Sequence, residues 1–188
     1  VDRPDVLVSG QPSSGTVNRN AILNSAGVSG TILGASELLA MGRDEGRQAV
    51  QPHRVIYIYQ DRIDAIGDKA ASERGVFDAC NKAIEEISQV VRKIANQLNG
   101  TNVLVTSDHG FLYQRQPLAQ HNKVKPPTGD VVDSGRRHAL GRNLTDQDGT
   151  LWFSLPYLQP EGLTAQSPRG TLRYAIQGAG AQYVHGGA

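Results

Sequence analysis

Cysteine is almost absent from this 188-residue chain. Cys80 stands alone, which excludes an internal disulfide framework and any cysteine-based zinc knuckle. It falls within a helical pattern, where it reads as a small buried hydrophobe. Aromatic residues are scarce at 5%, with a single tryptophan. Neither charge sign is in excess: 19 Lys+Arg against 18 Asp+Glu leaves a formal net charge of +1, so only local clusters can argue for an anionic partner. No apolar run approaches the roughly 20 residues of a membrane span. The opening "VDRPDVLVSG" lacks the charged-then-apolar signature of a signal peptide, so a reducing, cytoplasmic setting is expected. A length of 188 residues suits one domain with its own core, and the 21 glycines and 9 prolines promise many turns.

What is present organises along the chain. "DVLVSG" suits a short strand and "QPSSGTVNRN" a loop. "SELLAMGRDEGRQAV" suggests short helices, with Ser36 a candidate N-cap. Val55–Tyr59, in "HRVIYIYQ", is a β-branched and aromatic run typical of a buried strand. From about Ser72 to Leu98, apolar residues recur at steps of three and four, which predicts a long helix packed through Ile84, Ile87, Val91 and Ile94. Asn99 and Gly100 end it. "TNVLVTSD" predicts a second buried strand over 102–108. Strand, helix and strand form a βαβ unit, with 55–59 and 102–108 parallel in one sheet. The fold class expected is α/β, a mostly parallel sheet flanked by helices. Residues 114–150 read as a polar, basic insertion or loop region, and "TLWFSLPYL" and "TLRYAI" as shorter strands.

Ligands of open parallel sheets bind beyond the carboxyl ends of the strands. Asp108 and His109 follow one such end, and Asp64 and Asp68 another. Carboxylate oxygens with imidazole suit Zn²⁺, Mn²⁺ or a similar divalent ion. Each group also has a plainer role: Asp108 as a cap, His109 as a loop residue, Asp64 and Asp68 as turn and N-cap residues. His185, in "YVHGG", is a lone histidine whose glycine neighbours permit close approach to a site. Among the basic residues of 115–142, "SGRRHALGR" carries Arg136, Arg137 and Arg142, whose guanidiniums suit phosphate oxygens or simply a solvated loop.

"VIYIYQDRIDAIGDKAASE", the long helix, "NVLVTSDHGFLYQR", "GRRHALGR" and the closing "VHGG" together resemble the PglZ family of BREX phage-defence systems, within the alkaline phosphatase superfamily. The resemblance runs from about Ile22 to the end. "TSDHG" is also similar to the "TADHG" of cofactor-independent phosphoglycerate mutases, which leaves a phosphomutase as a weaker option. The resemblance implies that Asp108 and His109 are ligands of one metal and His185 a ligand of a second. It implies that Asp64 and Asp68 are an acid-x-x-x-ligand pair at that second metal. Position 68 is Asp where related phosphatases often have His, which bears on metal identity, and position 60 is Gln where many family members have His. The superfamily also uses a Ser or Thr nucleophile and an Asp ligand on an early strand, for which this chain offers no match. The chain is therefore expected to be one partial alkaline phosphatase-like domain over 1–188, inactive by itself. In the full-length protein the expected function is a metal-dependent phosphoester hydrolase (phosphatase, phosphodiesterase or nuclease) of phage defence, with one or two Zn²⁺ or Mn²⁺ ions. The alternative is a non-catalytic scaffold or interaction module of a defence complex. Other defence proteins are the expected partners, and nucleic acid stays open.

Overall fold

The computed structural model describes residues 6–116, 118–158, 162–176 and 182–186. They divide into two compact units, one of Asp5–Ile63 with Phe77–Thr106, the other of Asp64–Val76 with Ser107–Ala188. The first unit opens with a ribbon of β1 (Leu7–Val8) and β2 (Gln11–Pro12). Helix α1 (Thr16–Ser25) leads to β3 (Gly30–Gly34), then α2 (Ala35–Ala40), α3 (Arg43–Val50) and β4 (Val55–Tyr59). β3 and β4 are parallel, in register from Gly30↔Val55 to Gly34↔Tyr59. The intervening pair of helices supplies the long crossover that parallel strands require. β4 is not buried on both faces as its composition suggests. It alternates: Ile56 and Ile58 pack on the core, while Val55, Tyr57 and Tyr59 are exposed. Ser36 does not cap α2. Gly34 is the N-cap, its N–H donating to the Glu37 carboxylate, and the Ser36 hydroxyl donates to Glu86.

Helix α4 (Arg62–Gly67) follows, then a 3-10 turn at Glu73–Gly75 and α5 (Val76–Gln97). The long helix is present as expected, with a rotated buried face. Ala79, Ala83, Glu86, Val90 and Lys93 are buried at alternating steps of four and three. Ile84, expected in the core, is 62% exposed, and Ile87, Val91 and Ile94 are half-buried at the flank. Two charged residues occupy the stripe because both are satisfied. Glu86 accepts from Ser36 (2.7 Å), Gln60 (3.0 Å) and Arg62 (3.4 Å). The Lys93 ammonium donates to the carbonyls of Leu39 and Met41 at the end of α2, where helix carbonyls lack partners. Leu33, Ala35, Leu38 and Val90 form the core, with Leu39, Met41, Ile94 and Leu98 against them. Asn99, at φ 59°, and Gly100, whose N–H donates to Ile94 O, end the helix as read.

The expected strand over 102–108 does not form. These residues join no sheet among the described residues, and Val103, Leu104 and Val105 are 43%, 88% and 58% exposed. An apolar, β-branched run becomes a strand only when a neighbour pairs with its edge, and among the described residues no strand pairs with 102–108. The βαβ unit of the sequence reading is therefore absent.

The second unit is mostly antiparallel. It contains β5 (Phe111–Tyr113), β6 (Lys123–Val124), β7 (Asp130–Ser134), β8 (Ala139–Arg142), β9 (Thr150–Ser154), β10 (Thr164–Pro168), β11 (Arg173–Tyr174) and β12 (Tyr183–His185). A four-stranded sheet runs in the order β7-β8-β10-β9. β11 pairs with β6 in parallel, and β12 with β5 antiparallel. Three short strands, β6, β7 and β8, lie within 114–150, where the sequence shows polar texture and little periodicity. Val124, Ala139, Leu144 and Tyr174 make its core. The buried Tyr174 hydroxyl donates to Gln166 Oε1 (2.7 Å), whose amide donates to Thr145 O (3.1 Å). The molecule is a mixed α/β protein with small sheets, some of them parallel. No helix among the described residues is long and apolar enough to cross a membrane.

Candidate metal centre

Two short structures in the second unit supply the expected site residues. The first is α4 and the residue after it. Asp68 N donates to Asp64 O (2.9 Å), so Asp64 and Asp68 are one helical turn apart on one face. The second is the β5–β12 ribbon. Its register sets Tyr183 opposite Tyr113, Val184 opposite Leu112 and His185 opposite Phe111, and Gly186 N donates to Gly110 O. His109, two residues before Phe111, therefore lies beside His185, with ring centroids 4.1 Å apart. Gly186 holds φ at 69°, a conformation L side chains rarely adopt.

One donor atom each from Asp64, His109 and His185 lies within 4.8 Å of the others. Asp64 Oδ2 is 3.8 Å from His109 Nε2 and 3.7 Å from His185 Nδ1. Asp68 Oδ2 lies 3.5 Å from His185 Nδ1, and Asp108 Oδ2 3.6 Å from His109 Nε2. All five expected ligands thus form one chain of neighbours, Asp108–His109–Asp64–His185–Asp68. The sequence argument for their convergence, a shared rim of parallel strands, does not hold, since 102–108 is no strand. The ribbon and α4 bring them together instead.

The donor set fits a divalent ion. Ligand atoms about 2.0–2.2 Å from a tetrahedral ion stand roughly 3.3–3.6 Å apart; the carboxylate–imidazole distances of 3.5 to 3.8 Å lie close to this, while the three-donor set extends to 4.8 Å and would tighten around an ion. His109 Nδ1 lies 3.0 Å from Gly110 O. A carbonyl only accepts, so in this contact Nδ1 is the donor, and Nε2 is the ring nitrogen that faces Asp64 and Asp108. His109 N also donates to Asp108 Oδ1 (3.0 Å), which steadies an otherwise exposed carboxylate.

The three expected phosphate-binding arginines are placed differently. Arg137 is buried, donates to Leu172 O, and has its pKa drawn down by burial. Arg136 is half-buried, and its carbonyl accepts from Tyr174 N. Arg142 ends β8 in register with Asp130. A fourth arginine escaped the sequence reading. Arg173 is buried, and its pKa is lowered to about 10, first by burial and then by Arg136 and Arg137, with Glu73 opposing. Two further residues at the centre were missed. The Tyr183 hydroxyl donates to Asp64 Oδ1, and the buried Glu73 carboxylate accepts from the N–H groups of Gln182 and Tyr183 (3.1 Å each). Tyr183 stands two residues before His185, and Glu73 closes the stretch that carries Asp64. Proximity to the motifs was the one signal available.

The chain is 36% identical over 189 residues to the "Alkaline phosphatase-like protein PglZ" of Bacillus cereus (strain H3081.97), covering all of this chain and 22% of that protein. It is 34% identical over 190 residues to the "Alkaline phosphatase-like protein BrxZ" of Escherichia coli O9:H4 (strain HS), covering 97% of this chain and 21% of that protein. The chain thus spans about a fifth of the length of these curated relatives. No solved structure matches it. The family model for the BREX system PglZ alkaline phosphatase-like domain matches residues 1–188, and the chain belongs to that family.

Proposed function

We propose that Asp64, His109 and His185 hold a divalent metal ion in a phosphoester hydrolase that acts in phage defence, and that Asp68 and Asp108 extend the centre on either side. The observation that carries this reading is the meeting of two imidazoles and a carboxylate within 4.8 Å, from segments far apart in sequence. A bound divalent ion supplies positive charge that polarises a phosphoryl oxygen and activates a nucleophile. The chain's own residues would hold and orient that ion. His109 presents Nε2 because Gly110 O holds Nδ1, and His185 is set beside it by the β5–β12 register. Arg136 and Arg142, both half-buried, are the arginines proposed to meet phosphate oxygens, with Arg137 and Arg173 adding positive charge near Arg136. Other proteins of the defence system are the proposed partners and the cytoplasm the proposed setting.

The test is metal analysis of the full-length protein followed by hydrolysis assays on phosphomonoester and phosphodiester substrates with Zn²⁺ or Mn²⁺. Asp64→Asn and His185→Ala should each lower turnover by more than about 100-fold, beyond the effect of an outer-shell change. Full phage protection by an Asp64→Asn protein that binds no metal would favour a scaffold and overturn the enzyme reading.

A further inference from the structure

Resting on the metal reading above, we propose that Tyr183 is a positioning residue of the centre, whose hydroxyl orients the Asp64 carboxylate toward the two imidazoles. A carboxylate is attached through a torsion with broad wells, so an unanchored Asp rotates between many settings. Here the Tyr183 hydroxyl donates to Oδ1, and Oδ2 is the oxygen that faces His109 Nε2 (3.8 Å) and His185 Nδ1 (3.7 Å). Hydrogen bonds to an ionised acceptor are the stronger kind, and this one leaves the lone pairs of Oδ2 for the centre.

The hydroxyl can do this only if the ring is fixed, and three independent features fix it. Tyr183 is 3% exposed, and its ring lies 5.1 Å from that of Phe111, centroid to centroid. Gly67, one residue before Asp68, is the floor of its seat: a Cβ there would fall 2.5 Å from Cε2 and 2.6 Å from Cδ2 and Cζ of Tyr183. Only glycine lets α4 approach the ring so closely. Glu73, 6% exposed, anchors the strand itself by accepting from the N–H of Tyr183 and of Gln182. The same strand carries His185 two residues on, so one anchored segment sets both a ligand and the group that aims another.

The experiment measures Zn²⁺ affinity by chelator competition, and the visible spectrum of bound Co²⁺, on the full chain and on Tyr183→Phe. The ring and its seat survive this change; only the hydroxyl goes. Expected are an apo protein that still folds, with a melting temperature lowered by no more than the few degrees that one hydrogen bond to a charged group supports, Zn²⁺ binding weaker by roughly 10–100-fold, the range for outer-shell partners of metal ligands, and an altered Co²⁺ spectrum. Gly67→Ala, which displaces the ring, should weaken binding in the same direction. Unchanged affinity and spectrum in Tyr183→Phe, with the wild type binding normally, would overturn the positioning role and leave the metal reading intact. Failure of the wild type to bind either ion would overturn the metal reading, and this inference with it.

Discussion

Two acids show how differently this chain uses a carboxylate. Asp64 turns one oxygen to a phenol and the other to two imidazoles, so its donors and its open side are separate. Glu86 instead has hydrogen-bond donors on both oxygens and reads as purely structural. Its pKa is held below the ordinary carboxylate value, first by the Ser36 hydroxyl, then by the Gln60 amide, with burial opposing and Arg62 assisting. The sign of the pH effect follows. A depressed folded-state pKa stabilises the fold above the unfolded carboxylate value, and that stability is lost as pH falls through the folded value. Glu86→Gln should therefore cost about 1.5–3 kcal/mol at neutral pH, the range for hydrogen bonds to a charged group. The variant should also lose less stability than the wild type on acidification. Urea titrations of both proteins at neutral and acid pH measure the two effects, and parallel acid limbs would show that Glu86 does not contribute in this way.

At the scale of elements, α5 decides what packs in the first unit. Leu38 on α2 is fully buried in the core to which α5 contributes Val90, whereas Ile84 on α5 itself faces solvent. Leu38→Ala should cost about 2–5 kcal/mol in urea unfolding, and Ile84→Ala should stay within about 0.5 kcal/mol. Equal costs would put the helix face back where its apolar count alone suggests. That comparison also marks the limit of legibility. The 3.6-residue period of α5 is written in the sequence, but its rotation is not, because Glu86 and Lys93 are buried once Ser36, Gln60 and the end of α2 satisfy them. β4 was legible from its β-branched run, while its partner β3, "GTILG", hid behind glycines. Val103–Val105 carried the same signal as β4 without a partner edge. The polar strands β7 and β8 offer almost no alternation to read. At the centre, carboxylates and histidines announce themselves by type. Tyr183 and Glu73 do not, because their roles depend on a pairing of Phe111 with His185 across 74 positions of chain.

At the scale of the whole molecule, the centre lies within one unit but ties three stretches of chain together: α4 with the residue after it, the turn before β5, and β12. In the unfolded chain these stretches are far apart and offer no preformed site, so an ion that binds them binds the folded state alone. Binding then stabilises by mass action, about 2.7 kcal/mol when the free ion is 100-fold above its dissociation constant. Trp152, the one tryptophan of the chain, belongs to the same unit as the centre, so its fluorescence reports that unit's unfolding. Saturating Zn²⁺ should move the urea midpoint of the Trp152 signal upward by an amount that grows with the logarithm of free zinc, and a chelator should return it to the apo value. Asp64→Asn, which removes the shared carboxylate while leaving the helix, should lose most of that shift. If the midpoint ignores zinc in the wild type, or rises equally in Asp64→Asn, then the ion is not held by Asp64, His109 and His185.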